Sequence, residues 1–524
     1  MQIFENAEFI SCEDQNRIFQ VMVEDRGRIE FTGNHLPETF RAVPTRIDLQ
    51  GRCILPAFAD THMHFESFAF FRSTFDVRHV QNFAELADIV REYEQNHPRD
   101  KVILGFGVSA HTVEERQLPD RIRLDHITTR PLCIVKYDGH AAVANTALLE
   151  KLPRSVTAQA GFDKTTGGLY QQAYYDAVNH LTRSISLYQV LKNLLGASDE
   201  LAKRGFGLIH TVEGLGFPLD ADIDLMRFAA RGLPLQYRIY FQTTEVRKVI
   251  RRNLPRIGGC FATALDGCFG TEDAALSEPY TNDPANRGFL AYSQQQVNAF
   301  VKEANRLGLQ VSMHAIGDAA VEQAIIAYEA ALADFPRQDH RHVIIHASLM
   351  PPPLLERAAR IGIHIAIQPP LLHWDQEPLS YLTHILGKRA CRLMTCKSML
   401  DYGLTIAGGS DAPCSYPDAI RGIHTACNHP NPDQRISALD ALRMYTHWAA
   451  RLSFDENERG TLTPGKVADF VVLDKNPLAV KPEHLKDIKV MNLYLKGRPY
   501  EPPPRSPSDL CRRALKNILL KRYS

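Results

Sequence analysis

Short apolar runs alternate with longer amphipathic stretches through the middle of this chain, an order that commits it to a parallel α/β sheet. The runs KVILGFG, PLCIVKY, FGLIHTV, LQYRIYF, LGLQVSMH, HVIIHA, IGIHIAIQ and LTIAGGSD have the length and composition of strands. Between them, SQQQVNAFVKEANRLG and AAVEQAIIAYEAALADF repeat apolar residues at helical spacing. Roughly eight strands before residue 415 favour closure into a TIM barrel over an open doubly wound sheet.

A chain of 524 residues is longer than one barrel requires. Its ends account for part of the excess. IFENAEFI, FQVMVEDRGRIEFTG and TRIDLQGRCILP near the start, and ADFVVLD and IKVMNLYLKGRPY near the end, read as β segments of one small sheet domain with the barrel threaded between them. The barrel is expected over residues 54–454, with an inserted subdomain between about 67 and 205. EPPPRSPSDL then opens a connector and helix over 503–524.

Sixty basic side chains balance sixty acidic ones, so no net field draws the chain to nucleic acid or an anionic membrane. A small-molecule substrate is the default partner, and a homodimer stays open. No apolar stretch is long enough to span a bilayer, and MQIFENAEFISCEDQNRIFQ does not read as a signal peptide. Ten scattered cysteines without finger-type spacing read as reduced thiols of a cytoplasmic protein.

The chemistry lies at the carboxyl ends of the apolar runs. In ILPAFADTHMHFE, His62 and His64 are two apart on a strand, so both imidazoles point the same way. VSMHAIGD places His314, VIIHAS places His346 and LTIAGGSDAP places Asp411 at further strand ends. One histidine at a strand end is more often structural, which is the reading for His210, His364 and His373. Five potential ligands on one barrel face point instead to a zinc ion, or another divalent metal, with an open position for water. Asp60 is a turn residue or supports the pair from behind.

At these residues the chain resembles the amidohydrolase superfamily, and within it the YtcJ-like group, amidohydrolase family 3. The resemblance rests on LPAFADTHMHFE, KYDGHAAVANTALL, LDGCFGTEDAALSEPY, MHAIGDAAV, RHVIIHAS, GGSDAP and RGTLTPGKVADFVVLD. It implies a distorted TIM (β/α)8 barrel, a small β-sandwich split between residues 1–53 and 455–502, one or two Zn2+ ions, and hydrolysis of a C–N bond in an amide-type compound. It also implies that His62 and His64 are first-strand ligands, His314 and His346 ligands on strands five and six, and Asp411 the proton acceptor on strand eight. Many relatives carry a lysine before the DG of strand four, carboxylated to bridge two metals. This chain reads FATALDGCFG there, with Ala262 at the aligned position.

Two residues are candidates to replace that bridge. Lys136, in PLCIVKYDGH, ends a strand and can lose its charge and take up carbon dioxide, or else it pairs with Asp138 or a substrate carboxylate. Glu213, in LIHTVEG, can bridge directly or bind substrate, and a one-metal site needs no bridge. Asp138 and His140 lie near the same mouth: Asp138 as a substrate contact, His140 as a group that polarises a carbonyl or merely orders the loop. The leading expectation is hydrolysis of a small amide-type compound. Deamination of an aminated heterocycle and a non-catalytic scaffold are the alternatives.

Overall fold

The computed structural model describes residues 1–182, 185–214, 218–502 and 506–522. Eight parallel strands form a nearly closed barrel: β1 (Phe58–Met63), β2 (Phe206–Glu213), β3 (Gln236–Phe241), β4 (Arg256–Ala264), β5 (Gln310–Ala315), β6 (Val343–His346), β7 (His364–Ile367) and β8 (Thr405–Gly408). They pair in chain order from β1 to β8. The circle is completed beyond the strand ends, where Asp411 N donates to His62 O and His64 N donates to Ala412 O, both at 2.8 Å. Every residue of β1, β2, β5, β6 and β7 is buried, as strands covered on both faces must be.

Small and branched side chains fill the barrel interior, among them Ala59, Leu208, Val212, Val343, Ile345 and Ala407. Each fully buried Val, Leu or Ile there contributes roughly 1.5–3 kcal/mol. The helices turn amphipathic faces onto the outside of the strands. Gln294–Arg306 starts from a capping box between Ser293 and Gln296 and buries Val297, Val301 and Ala304.

The end segments form one continuous sheet, in which Arg46–Pro56 pairs parallel with Gln2–Ile10 and antiparallel with Phe470–Leu473. An isolated bridge between Arg28 and Val467 brings its far edge back, so the sheet curls around a core containing Phe4, Phe9, Ile54 and Phe470. The helix Pro507–Arg522 packs through buried Leu510 and Ala514. No helix among the described residues is long and apolar enough to cross a membrane.

A third, six-stranded sheet has Phe75–Asp76 at one edge and Phe162–Asp163 at the other. It corrects one part of the sequence reading. The runs KVILGFG and PLCIVKY belong to this sheet, as Ile103–Val108 and Leu132–Lys136, and not to the barrel. Their two places are taken by β1 and by β4, whose glycine pair breaks strand periodicity. The inserted sheet leans on the barrel mouth, where Ser109 Oγ donates to Gln376 O at 3.0 Å and Tyr137 OH to Glu377 Oε1 at 2.9 Å.

Candidate metal centre

The ends of β1, β6 and β8 deliver three of the five expected ligands, His62, His346 and Asp411, to one point. His62 Nε2 lies 3.0 Å from Asp411 Oδ1, and the His62 and His346 rings are 5.5 Å apart at their centroids. His64 Nε2 reaches the same Asp411 oxygen at 3.6 Å. His314 stacks edge-on against His346 at 4.6 Å, but its Nε2 is directed to Gly267 O at 3.1 Å and Asp266 Oδ1 at 3.4 Å. The Nδ1 atoms of His64 and His314 are buried without a hydrogen-bond partner among the described residues.

The backbone is bent to present these groups. His346 and Asp411 have φ of 70° and 59°, in the left-handed region that costs a non-glycine residue of order 1–3 kcal/mol. Both residues leave their strands at these bends, which aim the side chains across the mouth. Asp60 anchors the turn from below: its Oδ1 accepts from the backbone N–H of His62 and of Ser410, each at 3.1 Å. Burial raises the Asp60 carboxyl to about 6.

The charge pattern suits a cation. Burial keeps His62 and, more strongly, His346 neutral, with the neighbouring His314 adding to the effect at His346. Burial would raise Asp411, yet the His62 and His64 imidazoles beside it hold it well below the ordinary carboxylate range. His346 Nδ1 lies 2.7 Å from Gln368 Oε1, and Gln368 Nε2 donates to Ala366 O at 2.9 Å, so Nδ1–H is the donor and Nε2 is left free for a ligand.

Cys260 completes the group, and the sequence reading missed it. Its Sγ lies 3.1 Å from His62 Nε2 and 3.8 Å from His346 Nε2. The donor atoms of His62, Cys260, His346 and Asp411 all lie within 4.8 Å of one another. The signal was GGC in a strand that does not alternate. The register of β4 jumps between Gly259 and Ala264, and the bulge is tied by Gln242 Oε1, which accepts from Cys260 N and Phe261 N at 3.0 Å each. Gly258 has φ +108°, and a Cβ there would lie 1.8 Å from Ser312 O.

The structure does not bring Lys136 or Glu213 into this group. Lys136 Nζ forms a buried ion pair with Asp138 Oδ2 at 2.7 Å, and the strand it ends belongs to the inserted sheet. His140 Nδ1 lies 2.8 Å from Asp138 O, and both His140 and Asp138 line the cavity in front of the metal-site residues. His210 sits buried in the barrel interior, and burial lowers it to about 3, which keeps it neutral.

Glu213 is fully buried and accepts from Thr211 Oγ1 and from the backbone N–H of Glu66. Burial pushes its carboxyl up to about 8. A folded-state value above the ordinary ~4.3 means that its contribution to stability is complete below ~4.3. That contribution is lost as pH rises through about 8. Glu213→Gln is therefore expected to melt several degrees above the parent near pH 9, with the gap closing toward pH 5. Thermal melts across that range check this, and parallel pH profiles for the two proteins would refute a neutral Glu213.

A cavity of about 130 Å3 opens over the cluster. Phe71, Tyr175, Phe261, Leu371, Trp374 and Met394 give it apolar walls, while Asp138, His140 and Glu377 supply polar groups. The Phe261 ring lies about 5 Å from both His64, at a tilt of 48°, and Tyr175, edge-on at 73°. Burial lifts the Glu377 carboxyl to about 7.

Comparison with known proteins places these features in a lineage. The model of a family described as "Amidohydrolase family" matches residues 45–500. YtcJ of Bacillus subtilis (strain 168) is 26% identical over 523 residues, covering 94% of this chain and 97% of the relative. An N-substituted formamide deformylase of Arthrobacter pascens is 22% identical over 531 residues, covering 94% and 96%. A crystal structure of an uncharacterized metal-dependent hydrolase from Pyrococcus furiosus superposes with a TM-score of 0.72 at 26% identity, covering 91% of this chain and 99% of its own.

Proposed function

The chain belongs to the amidohydrolase family and is a hydrolase; from that premise we propose that it uses a divalent metal, zinc in the first place, to cleave a C–N bond of a small amide-type compound. The observation that carries this reading is the convergence of His62, His346 and Asp411 at three barrel-strand ends under one cavity. The imidazoles of His62 and His346 kept neutral by burial, a carboxylate held ionised and buried ring nitrogens of His64 and His314 without hydrogen-bond partners form a donor set that fits such an ion. His62, His64, His314, His346 and Asp411 are the residues assigned to hold it.

When bound, the cation supplies Lewis acidity and a water that is readily deprotonated. The remaining work falls to side chains. Asp411 takes the proton of the attacking water on its carboxylate and passes it to the departing nitrogen. His140 is held by its Nδ1 on the Asp138 carbonyl, which leaves Nε2 as the atom able to face the substrate oxygen. The Lys136–Asp138 pair holds that loop in place, and Phe261, Tyr175 and Trp374 exclude water around an apolar substituent.

An N-substituted formamide is the first compound to assay, because a relative bears that activity in its name. Its small acyl group suits the polar floor and its N-substituent the apolar walls. The test joins elemental analysis of gently purified protein to a panel of N-substituted formamides, simple amides and aminated heterocycles. We expect about one or two equivalents of a divalent transition metal, with release of carboxylic acid and amine. Less than about a tenth of an equivalent, with no activation on adding metal, would sink the reading. Ammonia released only from heterocycles would make the protein a deaminase.

A further inference from the structure

We propose that Cys260 is a ligand of the metal centre, so that a thiolate sulfur stands among its nitrogen and oxygen donors. The inference rests on the metal-hydrolase reading and goes beyond it by assigning a donor atom of a different chemical kind. A tetrahedral zinc with Zn–S of about 2.3 Å and Zn–N of about 2.0–2.1 Å separates sulfur from nitrogen by roughly 3.5 Å. The observed separations from Cys260 Sγ, 3.1 Å to His62 Nε2 and 3.8 Å to His346 Nε2, bracket that distance.

A buried cysteine is usually a small apolar filler, and Cys260 does pack beside Val212, Tyr240 and Ile345. Its polar side argues otherwise. Because Nδ1–H of His346 is given to Gln368, the Nε2 facing Cys260 is a lone pair. His62 Nε2 faces the same sulfur and also Asp411. A cation set between the sulfur, the two ring nitrogens and the carboxylate would be held by all four of these groups together, whose donor atoms lie within 4.8 Å of one another.

The local backbone is organised around this placement. Gly258 in its left-handed conformation, the register jump in β4 and the Gln242 clamp on Cys260 N all fix where Sγ points. The other candidates for a negative donor are committed elsewhere, Lys136 to Asp138 and Glu213 to Thr211 and the Glu66 backbone. On binding, the sulfur–metal bond forms as the thiol proton leaves to solvent. A sulfur ligand makes the centre selective for zinc, cobalt or cadmium over magnesium and manganese.

The test uses full-length protein with Co2+ replacing the native metal. The expected result is sulfur-to-cobalt charge-transfer absorption in the near ultraviolet, of the intensity of about one thiolate per site. It should vanish in Cys260→Ser while the visible cobalt bands persist. It should survive in Cys268→Ser and Cys414→Ser, whose thiols line the same cavity. Zinc affinity, measured by chelator competition, should fall at least tenfold in Cys260→Ser. Cys260→Ala serves in its place if the serine variant fails to fold. Stoichiometric cobalt without the charge-transfer band, or a band that persists without Cys260, overturns the proposal and leaves the metal-hydrolase reading standing. Failure of the parent protein to take up cobalt or zinc removes both.

Discussion

Replacing Asp411 with asparagine is expected to leave the barrel folded and most of the metal in place while hydrolysis falls by roughly two orders of magnitude or more. Asparagine tolerates the left-handed backbone found at this position and keeps an oxygen for His62 and His64. What it lacks is basicity. The loss should therefore fall on kcat, with metal content and melting temperature little changed. Near-normal turnover of a verified substrate by this variant would transfer the proton-shuttle role to another cavity group, of which Glu377 is the nearest to neutrality.

The second large effect is expected at His62, which touches Asp411 on one side and Cys260 on the other. His62→Ala should reduce bound metal below about a tenth of an equivalent and bring hydrolysis to background. The parent should also lose thermal stability on chelation, because a ligand that binds only the folded state stabilises it. The variant should show no such response. If His62→Ala retained a full equivalent of metal, the centre would have to be moved toward His314 and Asp266.

Part of the barrel mouth was legible because a histidine or aspartate closing an apolar run is visible without a fold. Of the five residues recognisable that way, the structure gathers His62, His346 and Asp411 at one point and turns His314 Nε2 toward Gly267 and Asp266. Cys260 was not legible. Its strand contains adjacent glycines and a bulge, so the two-residue alternation that marks a strand is lost where the backbone is most specialised. A lone cysteine in an apolar run also carries no spacing signal.

Lys136 illustrates a different limit. Its strand was recognised, but hydrogen-bonded neighbours decide which sheet a strand joins, and those neighbours, Ile103–Val108 and Ala141–Ala144, lie in the insertion. Gln368 and Asp266 were unreadable for a related reason. Gln368 matters because β7 sets it beside the His346 ring, and Asp266 because its carboxylate accepts from the backbone N–H of Ala275, Ile316 and Gly317. The contacts that give these residues their roles, to His346 for Gln368 and to Ile316 and Gly317 for Asp266, lie far away in sequence.

The wall carrying Asp138 and His140 is docked on the mouth through contacts that include Ser109 to Gln376, Gln376 to the Arg78 carbonyl, Tyr137 to Glu377, and the Cys414 thiol to the Asp138 carbonyl at 3.3 Å. It has hydrophobic cores of its own, around Leu104, Val135 and Leu169 on one side and Leu86, Val90 and Ile134 on the other. One wall of the cavity is thus carried on a piece of polypeptide with its own cores, separate from the barrel-strand ends that gather His62, His346 and Asp411. Such a wall can be remodelled, and with it the shape of the cavity, without disturbing those strand ends. For laboratory evolution this directs mutagenesis for new substrates to the loops of the inserted sheet and leaves the barrel untouched.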